Sequence, residues 1–178
     1  SLDREVESAM NSKRTVFLPL AFAVLLLDQL GKLHATDNLA VGARVPLVTD
    51  VLSFTYSESA ASAFGFFAKW SMAAQFIGFA LVSVAATIMI IYFFGGLAPG
   101  EFGSAAGLGA ILGGVVSHAI DRLRTGASID FLHVGSQSGS GLPDFNLADV
   151  AIVLGVATLI VELLATEMAA RANERPRH

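Results

Sequence analysis

The sequence predicts a membrane protein that is mainly α-helical, with four transmembrane helices and a small β-sheet outside the membrane. Of its 178 residues, 54% are hydrophobic and only 15% are charged, whereas soluble domains carry about 25% charged residues. Four apolar segments reach or nearly reach the roughly 20 residues with which a helix crosses a bilayer. Because backbone groups in lipid must be hydrogen-bonded internally, we expect these segments to be helices.

The predicted spans form one membrane domain between two polar tails. They cover residues 15–34, 71–97, 102–120 and 146–165. The domain is therefore assigned to residues 15–165, with tails at 1–14 and 166–178. Met10 and the Asn-Ser-Lys-Arg after it resemble a natural start, so residues 1–9 are interpreted as a remnant of cloning.

The charges that flank the spans favour cytoplasmic termini. Lys13 and Arg14 precede the first span, and three arginines follow the last. Under the positive-inside rule such cations stay in the cytoplasm. With four spans, connectors 35–70 and 121–145 are then extracytoplasmic.

Two stretches of the first long connector have the composition of β-strands. Residues 44–48 and 51–56 are rich in β-branched and aromatic side chains, and Thr49-Asp50 separates them. We expect a small sheet on the outer membrane surface. The third span carries Gly103/Gly107 and Gly109/Gly113, a spacing that lets helices approach closely.

Composition also excludes some functions. The net charge of −4 gives no basic surface for nucleic acid, so nucleic acid is not an expected partner. The sequence contains no cysteine, which excludes disulfides and thiolate metal sites within it. A bilayer-embedded fold does not need such cross-links.

Two carboxylates flank a Gly/Ser-rich loop at the entrance to the fourth span. Asp130 precedes the loop and Asp149 follows it, so they can meet if one ends an element and the other begins the next. Two carboxylates in a partly dry site do not both ionise easily, and one can act as acid while the other acts as base toward water. The structural alternative is that Asp149 is the N-cap of the fourth span and Asp130 a turn residue.

Further charged residues lie at the predicted outer ends of the spans. Asp28 and Lys32 have the spacing of an ion pair within a helix at the interface; alternatively, Asp28 supports the external site. Asp121 and Arg122 end the third span, where they either hydrogen-bond to external loops or bind substrate.

Two His/Asp pairs raise the question of a metal site. His118 lies three residues before Asp121, and His133 three residues after Asp130. His and carboxylate side chains can bind zinc, but no HExxH motif is present and neither pair clearly lies within one helix. We therefore expect no metal and no cofactor.

Taken together, these positions resemble the lipoprotein signal peptidases, or signal peptidase II. The similarity runs from about residue 15 to residue 164, and the Asp130 and Asp149 motifs are its most specific parts. The matching motifs are, in chain order, Leu27-Asp28-Gln29 with Lys32, Ala63-Phe64-Gly65, Gly113-Gly114 with Asp121-Arg122, Asp130-Phe131 and Phe145-Asn146-Leu147-Ala148-Asp149.

The resemblance implies a four-helix aspartic endopeptidase of the bacterial inner membrane with an extracytoplasmic β-cradle. Such an enzyme cuts before a diacylglyceryl-modified cysteine of prolipoproteins, without metal or cofactor, and we expect a monomer. The implied catalytic pair is Asp130 and Asp149. The implied site-lining or supporting residues are Asn146, Arg122, Asp28 and Asp121.

The sequence departs from the family pattern at two asparagines. Ser59 stands where the family's N-x-G-A-A-F block begins, and His118 replaces the asparagine of the G-G-A-x-G-N-x-x-D-R block. Ser117 replaces a glycine of the same block. A serine is shorter than asparagine, and a histidine titrates near neutrality. Ser59 and His118 are therefore candidate site residues of a divergent relative.

Three functions remain in competition at this stage. The first is an active peptidase, acting on a prolipoprotein or on another membrane-anchored protein recognised through Ser59 and His118. The second is a non-catalytic binding or chaperone module for lipidated or helical membrane clients. The third is a small transporter or channel subunit, although no inverted repeat or broken helix pair supports it.

Overall fold

The computed structural model describes residues 2–59, 71–136 and 141–174, and over these it contains four helices and three strands. In chain order they are α1 Leu2–Asn38, β1 Arg44–Val48, β2 Leu52–Ser59, α2 Met72–Gly96, α3 Phe102–Thr125, β3 Ser128–Val134 and α4 Leu147–Glu174.

All four helices are long and apolar enough to cross a membrane, which confirms the predicted fold class. Their candidate spans are Lys13–Asn38, Ala73–Gly96, Phe102–Thr125 and Leu147–Ala172. The first and third helices extend beyond the predicted ends at residues 34 and 120. α3 continues because Asp121, just past the predicted end, pairs with Lys32 inside the protein, so its charge does not end the helix. The residues that extend α1 include the buried Ala35 and the exposed Asp37 and Asn38. α3 stops at Gly126, which is left-handed with φ 76°.

Small residues of α3 allow α1 and α4 to pack closely against it. A Cβ atom added at Gly113 would lie 2.5 Å from the carbonyl oxygen of Ala21 in α1. One added at Gly114 would lie 2.8 Å from the carbonyl oxygen of Ala148 in α4. The predicted packing role is thus observed for Gly113, and α3 uses neighbouring glycines for two different partners.

A three-stranded antiparallel sheet in the order β1-β2-β3 lies at one end of the bundle. β1 and β2 correspond to the two predicted strands, whereas β3 falls in a connector for which no strand was predicted. Residues 128–131 of β3 are all buried, so the strand lacks the alternation of a half-exposed one. Phe131 of β3 packs on Gly31 of α1, where an added Cβ would lie 2.5 Å from the ring.

We predict that Gly113→Ala lowers the unfolding midpoint in detergent by roughly 5 °C, because the added methyl group meets α1 backbone. Gly95→Ala is the matched control, since nothing lies within 4 Å of its added Cβ. Thermal unfolding followed by circular dichroism measures both. Equal midpoints for the two variants would contradict the packing argument.

Candidate active site

Three charged side chains form a buried network between α1 and α3. Lys32 Nζ lies 2.5 Å from Asp28 Oδ2 and 2.5 Å from Asp121 Oδ2. All three residues are at most 3% exposed, so the Asp28–Lys32 pair lies in the interior and not at the interface. A cation is stable here because two carboxylates replace the water it loses.

This network reaches the elements that carry Asp130 and Asp149. Asp28 Oδ1 accepts a hydrogen bond at 2.9 Å from the backbone N–H of Ala148, in the first turn of α4. Asp121 Oδ2 accepts one at 3.5 Å from the N–H of Ile129, next to Asp130 in β3. Both supporting carboxylates therefore hold the backbone beside a candidate catalytic residue.

Asp130 lies inside β3 and is only 4% exposed. Its Oδ2 accepts a hydrogen bond from Ser59 Oγ at 2.5 Å, and its Oδ1 accepts one from Asn146 Nδ2 at 2.7 Å. The sequence placed Asp130 at the end of an element or in a turn. That placement is wrong because pairing with β2 continues on both sides of Asp130, which is opposite Ser57.

Asn146 connects the two aspartates. Its fully buried side chain donates to Asp130 through Nδ2 and accepts from the N–H of Asp149 through Oδ1, at 3.0 Å. In return, the N–H of Asn146 donates to Asp149 Oδ2 at 3.1 Å. This reciprocal pattern is a capping box. The capping residue of α4 is therefore Asn146, and the alternative that placed Asp149 at the N-cap is wrong by three residues.

Asp149 lies in the first turn of α4 with 43% of its side chain exposed. Its Oδ1 lies 3.0 Å from Nε2 of His118. The other ring nitrogen of His118, Nδ1, lies 3.2 Å from Oγ of Ser128. A carboxylate at this end of a helix is stabilised by the helix dipole. Ser128 was not singled out from the sequence, because a serine after a turn carries no distinguishing signal.

Both aspartates line one cleft of about 360 Å³. The other lining residues are Ser57, Ser59, Ser128, Pro143 and Asp144. Two carboxyl groups that share a partly desolvated space are the arrangement from which an acid and a base can arise.

Burial raises the pKa of Asp130 to about 6. The hydrogen bond from Ser59 opposes this rise, the nearby charge of Asp149 adds to it, and the hydrogen bond from Asn146 also opposes it. A carboxyl group with this pKa keeps its proton in mildly acidic solution. Asp130 is therefore suited to donate a proton.

A second polar cluster lies at the edge of the cleft. Asp144 Oδ1 is 2.8 Å from Nδ1 of His133 and 3.3 Å from Nη2 of Arg44. These contacts fix the segment before α4 to β1 and β3. Sequence reasoning missed Asp144 and Arg44, since single charges in connectors do not reveal which distant strand they contact.

The histidines do not contact the aspartates with which the sequence paired them. His118 contacts Asp149 and not Asp121, and His133 contacts Asp144 and not Asp130. Each histidine therefore has a hydrogen-bonding partner in a different element.

Arg122 places a cation beside the cleft. Its guanidinium carbon lies 3.7 Å from the centre of the Phe79 ring of α2, a cation–π contact. The Arg122 guanidinium also lies within electrostatic range of Asp130.

Ser59 is the last described residue before residues 60–70, which the structure does not describe. The Ala63-Phe64-Gly65 motif lies outside the described residues.

Comparison with solved structures agrees with this fold. A bacterial membrane enzyme solved by the in meso method at 2.3 Å resolution matches with a TM-score of 0.72 and 24% identity, over 89% of this chain and 91% of that chain. A second such structure at 1.9 Å resolution gives a TM-score of 0.71 over 82% of this chain and 90% of that one. At this identity the likeness concerns the fold alone.

Comparison with protein families and curated relatives confirms the resemblance. The family model for signal peptidase (SPase) II, peptidase A8, matches residues 20–165. A lipoprotein signal peptidase of Geobacter sulfurreducens is 35% identical over 152 residues, which are 85% of this chain and 93% of the relative. One from Pseudomonas fluorescens is 30% identical over 159 residues, which are 89% and 93% of the two chains. The chain therefore belongs to the signal peptidase II family.

Proposed function

We propose that this protein is an active aspartic endopeptidase in which Asp130 and Asp149 form the catalytic pair. The observation that carries the proposal is their link through Asn146, whose amide donates to one carboxylate and caps the helix that bears the other. Asn146 thereby fixes both carboxyl groups on one cleft. Arg122, Asp28 and Asp121 are assigned supporting roles.

The pair holds one proton in the resting enzyme. The ionised carboxylate takes a proton from water as the water oxygen bonds to the scissile carbonyl carbon, and the protonated carboxyl group donates its proton to the carbonyl oxygen. The proton taken from water then reaches the amine nitrogen as the C–N bond breaks. One hydroxyl group of the intermediate returns its proton to the acid, which restores the pair.

The proposed substrate is a membrane-anchored precursor, foremost a diacylglyceryl-modified prolipoprotein. Family membership and the names of the curated relatives support this class. Ser59 and His118 contact Asp130 and Asp149 directly, so these departures alter the site itself. A substrate other than a lipid-modified precursor is therefore the second candidate, and a non-catalytic client-binding module is the third.

We place the sheet and the cleft on the outer face of the bacterial inner membrane, with both termini in the cytoplasm. Lys13 Nζ donates to the carbonyl oxygens of Phe94 at 3.0 Å and Leu97 at 2.7 Å. The basic start of the first span therefore lies at the same end as the α2–α3 connector, away from the sheet. The enzyme is proposed to act as a monomer.

This topology predicts different labelling of two introduced cysteines, because these 178 residues contain none. Thr49→Cys lies in the β1–β2 turn and Ala98→Cys in the α2–α3 connector, and both positions are exposed. A membrane-impermeant maleimide should label Thr49→Cys in intact spheroplasts and Ala98→Cys only after lysis. The reverse result would invert the proposed orientation.

The catalytic pair predicts that Asp130→Asn and Asp149→Asn each lose at least about 100-fold in kcat, because proton transfer fails. The assay uses purified protein in lipid and a diacylglyceryl-modified prolipoprotein, with cleavage followed by gel shift. Asp37→Asn, an exposed aspartate on α1, is the matched control and should cleave normally.

Two other results would favour the alternatives, one from this assay and one from cells that carry the variant. If the wild type leaves the prolipoprotein uncut while another signal peptidase II cuts it in parallel, the substrate differs. If Asp130→Asn preserves the cellular phenotype of the wild type, catalysis is not the function and the client-binding module is favoured.

The raised pKa of Asp130 predicts that Asp130→Asn stabilises the protein at high pH. A carboxyl group whose folded-state pKa exceeds its unfolded value contributes its stability below the unfolded pKa, and this is lost as pH rises through about 6. At pH 8 the variant should gain up to roughly 3 kcal/mol, seen as a higher unfolding midpoint in detergent. The gain should vanish near pH 4, and a gain independent of pH would refute the argument.

A further inference from the structure

His118 occupies a position from which it can control the protonation of the catalytic pair. It extends from α3 between β3 and α4, with Nε2 at 3.0 Å from Asp149 Oδ1 and Nδ1 at 3.2 Å from Ser128 Oγ. About a quarter of its side chain is exposed. An imidazole can donate a hydrogen bond here as an amide would, and it can also take up a proton.

We propose that His118 is a positioning residue that holds Asp149 as the ionised carboxylate that activates water, so that the proton of the pair rests on Asp130. This inference rests on the proposed peptidase function and assigns the acid and the base within it. It also predicts that the pH dependence of activity changes when an amide replaces the imidazole.

The direction of the hydrogen bonds around His118 supports this assignment. An ionised carboxylate only accepts, so Nε2 must carry a hydrogen and Nδ1 of the neutral ring must accept. Ser128 can donate its hydroxyl hydrogen to Nδ1 while its oxygen accepts from Asn146 Nδ2 at 3.4 Å. The chain from Asn146 through Ser128 and His118 to Asp149 thus runs in one direction and ends on an acceptor.

The hydrogen-bonding partners of the two aspartates also favour an ionised Asp149 and a protonated Asp130. Asp149 Oδ2 receives the backbone N–H of Asn146, a group that only donates and so requires an acceptor. Asp130 Oδ2 faces the hydroxyl of Ser59, which can accept as well as donate and therefore tolerates a protonated carboxyl group. Asp130 is 4% exposed whereas the Asp149 side chain is 43% exposed, so loss of water disfavours charge mainly at Asp130.

Charged and polar groups face His118 or its partner Asp149 from β3, α4, α1 and its own helix. Asp149 faces it from α4, Asp130 and Ser128 from β3, and Asp121 and Arg122 lie on its own helix; Lys32 of α1 acts on Asp149. A protonated ring would place a positive charge beside Asp149, and a positive charge there favours the ionised carboxylate. An amide at this position would keep the hydrogen bond and lose this effect.

The test compares the pH profiles of kcat/KM for the wild type, His118→Gln and His118→Asn in lipid, from pH 4.5 to 8.5, on a diacylglyceryl-modified prolipoprotein. We expect His118→Gln to keep roughly half of its activity near pH 7.5 and to lose about tenfold at pH 5, as its acid limb moves up by about one unit. KM should stay unchanged. His34→Asn, an exposed histidine on α1, should follow the wild type.

A uniform loss in His118→Gln with an unchanged pH profile would show a purely structural role and overturn the proposal. A second measurement does not depend on activity: nitrogen-15 NMR of labelled histidines should find His118 at pH 8 with its hydrogen on Nε2. A hydrogen on Nδ1 would overturn the proposal. If the wild type cleaves nothing at any pH, the peptidase function fails, while the position of this hydrogen still decides how Asp149 is held.

Discussion

The placement of the site depends on one buried ammonium group. Lys32 lies between the carboxylates of Asp28 and Asp121, and without it two anions on different helices would face each other in the interior. Removing one member of a buried ion pair costs about 3–5 kcal/mol because the remaining charge has no water. Such a change would also disturb the positions of Asp130 and Asp149, because the carboxylates of Asp28 and Asp121 accept hydrogen bonds from backbone N–H groups of α4 and β3.

Much of the scaffold could be predicted from local sequence. Hydropathy located all four membrane helices, and β-branched composition located β1 and β2. β3 was missed because its residues carry an aspartate and a histidine and are buried on both faces, a pattern without strand periodicity. Its burial is created by α1 and by the segment before α4, which are distant in sequence.

The sequence indicated which residues form the site but not how they contact one another. The motif around Asn146 and Asp149 indicated these residues, yet nothing local showed that Asn146 bonds to both aspartates. Ser128 gave no signal at all, because its role arises only from where α3 and α4 place their side chains. The interior location of the Asp28–Lys32 pair likewise depended on Asp121, which is far away in the chain.

The departures from the family pattern take part in hydrogen bonding. Ser117 is fully buried, donates to Asp28 Oδ2 at 2.6 Å and accepts from Gln29 Nε2 at 2.8 Å. Its neighbour His118 faces the other side of α3, toward Asp149 and Ser128. Ser117 and His118 thus each take part in a separate hydrogen-bond network, so both departures from the family pattern are accommodated by polar partners.

The capping box has a consequence for how a substrate is accommodated. Because Asp149 takes part in the hydrogen bonds that begin α4, its carboxylate cannot move far without unwinding the first helical turn. The α4 side of the cleft is therefore expected to keep its shape, whatever occupies the cleft. A change that unwinds the start of α4 would therefore displace the Asp149 carboxylate from the cleft.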